Sequence, residues 1–123
     1  MKPYEFNPSN KYPSVLFIHG GPLTQFGNIF MHQFRFFSSK GYIVSYCNPR
    51  GGRGYGEENT KSIWNNNGQE DYHDVMRWTN YLKSLQYVDQ NKMGVTGGSY
   101  GRRTIQQYLK RISRYSHLGR LCS

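Results

Sequence analysis

From Pro13 to Gly101 the chain alternates short apolar runs with longer amphipathic stretches, a pattern that predicts a mostly parallel sheet covered by helices. Val15-Leu16-Phe17-Ile18 is an unbroken β-prone run ended by His19-Gly20-Gly21-Pro22, so it reads as a buried strand entering a glycine turn. A second strand is expected over Tyr42–Cys47, running into Asn48-Pro49-Arg50-Gly51-Gly52. Between the two, Asn28 can cap a helix whose Ile29, Phe30, Phe34 and Phe37 fall near one face, with Gly41 ending it. These three elements make a β-α-β unit.

The stretch from Gly52 to Gly68 is rich in glycine and asparagine and reads as a long surface loop with one helical turn around Ile63-Trp64. From Asp71 to Leu85 the apolar positions Tyr72, Val75, Met76, Thr79 and Leu82 recur at helical spacing, and Asp71 and Asp74 lie early, where they complement the helix dipole. Lys92–Thr96 is a third strand that breaks at Gly97. The expected class is α/β, with about three strands and flanking helices.

Composition narrows the setting. A chain of 123 residues holds one small domain, or part of a larger one. No apolar run approaches the roughly 18 residues of a membrane span, the N-terminus lacks the apolar stretch of a secretory signal, and Cys47 and Cys122 have no metal-ligand spacing. A cytoplasmic location with no membrane partner, metal or cofactor is the expectation. The net charge of +9 is unevenly spread. After Gly101 the chain carries Arg102, Arg103, Lys110, Arg111, Arg114 and Arg120 and no acidic residue, which sets residues 102–123 apart from 1–101 as a basic tail. Ile105, Tyr108, Leu109 and Ile112 keep a helical spacing within it.

Two glycine turns carry candidate chemistry. Gly97-x-Ser99-x-Gly101 directly after a predicted strand is the nucleophile-elbow pattern, in which small residues let the backbone turn sharply enough to hold a serine hydroxyl above the sheet. His19-Gly20-Gly21-Pro22 supplies the second part, because acyl transfer needs backbone N–H donors aimed at a developing oxyanion and glycine lets the main chain approach closely. His19 itself reads as a histidine satisfied by local hydrogen bonds rather than as the base, which in this fold follows the nucleophile.

Lys11-Tyr12-Pro13, His19-Gly20-Gly21-Pro22, Asn48-Pro49-Arg50-Gly51, Gly54-Tyr55-Gly56, Asp71-Tyr72-x-Asp74-Val75 and Gly94-Val95-Thr96-Gly97-Gly98-Ser99-Tyr100-Gly101 together resemble the catalytic domain of the prolyl oligopeptidase family, in its acylaminoacyl peptidase and dipeptidyl peptidase IV-like branches. The resemblance implies that residues 1–101 are the N-terminal half of an α/β-hydrolase domain. It further implies that Ser99 attacks the carbonyl of an oligopeptide and forms an acyl-enzyme, and that the N–H groups of Tyr100 and Gly21 form the oxyanion hole. An upstream propeller would restrict access to oligopeptides. His19, Gly20 and Arg50 belong to loops near such a site, Arg50 either fixing its loop or touching substrate.

The chain departs from the family pattern after the elbow. Arg102-Arg103 stand where relatives continue with glycine and an aromatic residue. The family's acid and histidine follow the serine by many tens of residues, whereas here His117 is the only later histidine and no Asp or Glu follows Asp89. The expectation is therefore a fragment with little turnover and an exposed sheet edge that favours aggregation, its last segment a frame-shifted or otherwise non-ancestral reading. Two other readings stand beside it: a fragment of a carboxylesterase-like hydrolase, and a non-catalytic basic protein that binds acidic partners through Arg102–Arg120. Nucleic acid is not the expected partner, since the tail lacks a known motif and suitably interleaved aromatics.

Overall fold

The computed structural model describes residues 1–20, 24–28, 30–62, 69–98, 105–106 and 119–120. Strand β1 spans Tyr12–Ile18, helix α1 His32–Ser39 and strand β2 Ile43–Tyr46; short α2 (Glu57–Lys61), long α3 (Glu70–Ser84) and β3 (Val88–Gly97) follow, and Gly119–Arg120 form a two-residue β4. The sheet order is β2-β1-β3-β4 and every pairing is parallel.

A parallel strand between two helical layers must be apolar on both faces, and β1 meets that demand. Val15 and Phe17 pack on one side with Phe34 of α1 and Val44 of β2. Leu16 and Ile18 pack on the other with Tyr72, Val75 and Leu82 of α3 and Val95 of β3. Each such side chain, once buried, contributes on the order of 1.5–3 kcal/mol. The Trp78 indole N–H donates to Ser45 Oγ at 2.7 Å, tying α3 to β2. Ile105, in the segment after the elbow, is buried in the same cluster as α3, and β4 lies beside Gly94 and Val95.

The helix expected from Asn28 begins instead at His32, with Met31 at its N-terminal boundary and no side-chain cap. Both backbone polar groups of Phe26 are taken by the Asn48 side chain, and the described residues from Thr24 to Met31 are not helical. Ile29 lies outside the described residues, and Phe30 is exposed. The end of α1 is as expected, with Gly41 at φ +85° after Lys40, a left-handed position that favours glycine. Within the long loop α2 forms at Glu57–Lys61; the turn expected around Ile63-Trp64 lies outside the described residues. Strand β3 starts four residues before the expected Lys92; its pairing with β1 is irregular between Tyr12 and Ser14, and Gln90–Lys92 are exposed there.

Candidate active site

All three long strands leave the sheet at the same edge. The chain passes from β1 to β2 on one side and then crosses back over β1 to reach β3 on the other. The connection after β1 leads to α1 on one face, while the segment after β3 leads to Ile105 on the face covered by α3. In a sheet of this kind the crevice for a ligand opens where the strand order reverses, above the carboxyl ends of the two diverging strands. Here those strands are β1 and β3, and their register puts Ile18 beside Gly97. The two glycine turns singled out in the sequence therefore leave adjacent strands at the same level.

Gly97 is required by this approach. A Cβ at that position would collide with the backbone carbonyl of Ile18 and crowd Ile105 Cδ1 at 3.3 Å. Gly98, by contrast, has no neighbour among the described residues within 4 Å of where its Cβ would lie. Ser99, Tyr100, Gly101 and Gly21 lie outside the described residues, as does His117.

On the β1 side, His19 is half-buried and its Nδ1 lies 3.2 Å from the Gly20 carbonyl and 3.0 Å from Thr24 Oγ1. The Thr24 hydroxyl also donates to the Gly20 carbonyl. The imidazole meets Phe26 edge-on at 5.5 Å, and its Nε2 is buried without a hydrogen-bond partner among the described residues. The Nδ1 contacts are local, as expected for a histidine that fixes a turn, whereas Nε2 departs from the expectation of a fully hydrogen-bonded ring among the described residues.

On the β2 side, Arg50 is locked. Its Nε and Nη2 donate to the two oxygens of Asp74, each at 2.8 Å, and its Nη1 donates to Glu70 Oε2 at 2.8 Å. Its backbone N–H adds a bond to Asp74 Oδ2 at 3.1 Å. Such a bidentate pair is among the stronger polar contacts a protein makes. Burial disfavours the charged form of Asp74, but the hydrogen bonds and charge of Arg50 outweigh it and hold the carboxyl below its ordinary range. Neighbouring Cys47 is pushed the other way: burial, and then the Asp74 charge, raise its thiol to about 12. Of the two roles open to Arg50, this geometry spends every donor-bearing nitrogen of the guanidinium on α3.

Sequence reading singled out His19, Gly20, Arg50, Gly97 and Gly98, and the structure brings the ends of β1, β2 and β3 that carry them to one edge. The grip of Asn48 on Phe26 and the partnership of Arg50 with Glu70 and Asp74 are not legible in the sequence. The signal available in the sequence is a lone Arg in one motif and an acid, Asp74, in another at the same predicted edge; Glu70 belongs to neither motif.

The sequence pattern of the prolyl oligopeptidase family matches residues 28–116. The chain belongs to the prolyl oligopeptidase family. It is 41% identical over 102 residues to the uncharacterized peptidase YuxL of Bacillus subtilis, covering 82% of this chain and 16% of that protein. It is 36% identical over 104 residues to dipeptidyl-peptidase 5 of Schizosaccharomyces pombe, covering 82% of this chain and 15% of the relative. The fold is similar to that of the acylaminoacyl peptidase of Pyrococcus horikoshii, with a TM-score of 0.81 and 32% identity over 89% of this chain and 18% of that one. A solved acylaminoacyl peptidase in complex with Z-Gly-Gly-Phe-chloromethyl ketone gives a TM-score of 0.82 at 33% identity, again over 89% and 18%. The chain thus spans about one-sixth of the length of these members of the prolyl oligopeptidase family, and its three-stranded parallel core with flanking helices is part of their α/β-hydrolase fold.

Proposed function

We propose that this chain is the nucleophile-bearing part of a serine peptidase acting on oligopeptides. The observation that carries the reading is the pairing of Ile18 with Gly97, which brings the described starts of the two glycine turns, His19-Gly20 and Gly97-Gly98, to the crevice of the sheet. A nucleophile and its oxyanion donors have to come from two chain segments that meet, and this register supplies the meeting point.

In this reading the Ser99 oxygen attacks the carbonyl carbon of a peptide bond while a general base takes its proton. The negative charge passes to the carbonyl oxygen, which accepts hydrogen bonds from the backbone N–H groups of Tyr100 and Gly21. The tetrahedral species collapses with cleavage of the C–N bond, the amine leaves with the proton from the base, and water then hydrolyses the acyl-enzyme by the reverse sequence of proton transfers. Support for a peptide substrate comes from the printed names of the relatives and from the peptidyl chloromethyl ketone bound to one of them. The 123 residues contain no carboxylate after Asp89 and one histidine after Ser99, so they do not assemble a triad in the usual order of this fold. The chain by itself is expected to turn over weakly.

Covalent labelling by a fluorophosphonate tests the reading. Slow modification mapped to Ser99 and abolished by Ser99→Ala is the expected result, with equally slow release of amines from acyl-peptide substrates. Hydrolysis of simple esters with no cleavage of peptide amides would overturn the peptidase assignment in favour of an esterase.

A further inference from the structure

The turn after β1 is held in place by the turn after β2. Asn48 reaches across 22 positions to grip Phe26 at both backbone groups: its Oδ1 accepts from the Phe26 N–H at 2.8 Å and its Nδ2 donates to the Phe26 carbonyl at 2.9 Å. A side-chain amide that exchanges both bonds with one residue acts as a strand partner of one residue's length, fixing that residue's position and its rotation about the chain. Closer to β1, the Arg53 N–H reaches the Thr24 carbonyl at 3.4 Å. Gly52 lies so near that a Cβ there would meet the same carbonyl at 3.0 Å. Thr24 carries the restraint onward, since its hydroxyl donates to the carbonyl of Gly20, the second residue beyond β1.

The supporting turn is itself anchored. Arg50 joins it to α3 through Asp74 and Glu70. The Gly51 N–H donates to the Asn59 carbonyl at 2.9 Å, and Asn59 Nδ2 donates back to the Gly52 carbonyl at 3.1 Å. Residues 48–53 are therefore a platform fixed to α2 and α3, and Asn48 is the side chain through which that platform holds the neighbouring turn.

We propose that Asn48 is a positioning residue for the oxyanion donors, setting the height of the turn that begins at His19-Gly20 above the carboxyl ends of β1 and β3. The proposal rests on the reading of Ser99 and Gly21 given above and adds the element that fixes the start of the turn, at Gly20. Donors displaced by about 1 Å lose much of their transition-state effect, so a support of this kind acts on rate without touching substrate.

The experiment uses the 123-residue chain and two variants, Asn48→Ala and Asn48→Asp. Two quantities are read: the rate of Ser99 phosphonylation by a fluorophosphonate, and the amide resonances and hydrogen exchange of Gly20 and Phe26. Asn48→Ala removes both bonds, so the Phe26 N–H is expected to exchange faster, the Gly20 amide to shift, and labelling to slow roughly tenfold or more. Asn48→Asp keeps the acceptor for the Phe26 N–H but sets a carboxylate oxygen against the Phe26 carbonyl. Phe26 should then stay protected while Gly20 shifts and labelling slows. Unmoved amides of Val15, Leu16 and Phe17 report an intact sheet, and should Asn48→Ala not fold, Asn48→Asp decides. A Gly20 resonance unmoved in Asn48→Asp overturns the proposal, whatever the labelling rate. A shifted Gly20 with labelling as fast in Asn48→Asp as in the wild type also overturns it, whereas labelling that persists in Ser99→Ala leaves the support of the turn standing and overturns the assignment of Ser99.

Discussion

Arg50 meets Asp74 through two side-chain bonds at 2.8 Å and a backbone bond at 3.1 Å, across 24 positions of sequence. One carboxylate thus fixes both the side chain and the main chain of the residue that begins the turn after β2. Glu70, one helical turn earlier on α3, completes the set.

Asp74→Ala is expected to destabilise the fold by about 1–3 kcal/mol, above the value of an exposed pair because both groups are mostly covered and the backbone N–H loses its acceptor too. Glu70→Ala, which removes the more exposed partner, should cost well under about 1 kcal/mol. Urea unfolding midpoints of the two variants measure the difference, and equal effects would contradict the dominance of Asp74.

The same pair sets a pH dependence. Asp74 holds its proton less readily folded than unfolded. Its contribution is therefore fully present above the unfolded carboxylate value of about 4, and is lost as pH falls below that value and through the lower folded one. Stability measured from pH 6 downward should decline less steeply in Asp74→Asn than in the wild type. An identical acid limb in the two proteins would contradict this.

Gly97→Ala tests the close approach of β3 to β1. The added methyl would collide with the Ile18 carbonyl, which as backbone cannot turn aside, so the strands must separate at the crevice. A loss of about 2–3 kcal/mol is expected, together with loss of fluorophosphonate labelling. Gly98→Ala, where the same methyl meets no described residue within 4 Å, should leave stability within about 0.5 kcal/mol.

Cys47 should be a poor nucleophile in the folded chain. Its thiol is raised to about 12 by burial and by the charge of Asp74, so at pH 8 alkylation by iodoacetamide should be on the order of 100-fold slower than in urea. Asp74→Asn removes the second cause and is expected to speed the folded-state reaction. Cys122→Ser keeps the readout on one thiol.

The legible parts of the fold were those specified by local pattern. Val15-Leu16-Phe17-Ile18 announced a strand covered on both faces because each side chain must face one apolar layer or the other. The spacing of Tyr72, Val75, Thr79 and Leu82 announced α3, because one face of that helix lies on the sheet. Gly41 was readable as a stop because its positive φ is a local requirement. By contrast, α1 begins three positions later than a cap at Asn28 predicts, because Met31 stands at its boundary and no side-chain cap marks the start. Pattern likewise gave no hint that β3 begins at Val88, because Gln90–Lys92 are polar and exposed where the pairing with β1 is interrupted.

The candidate site divides along the same line. By itself the sequence determined its chemical parts: two glycine turns, each closing a strand, with a serine in one, and an arginine-bearing turn after the strand between them. Only the tertiary structure decided that the strands entering these turns end at one edge. That outcome follows from a strand order in which β1 lies between β2 and β3, and from a register that sets Ile18 against Gly97. It also decided the partners of Arg50 and Asn48. Side-chain pairing over 20 or more positions depends on which segments the crossing of the chain brings together, and residue type and local spacing carry no record of that crossing.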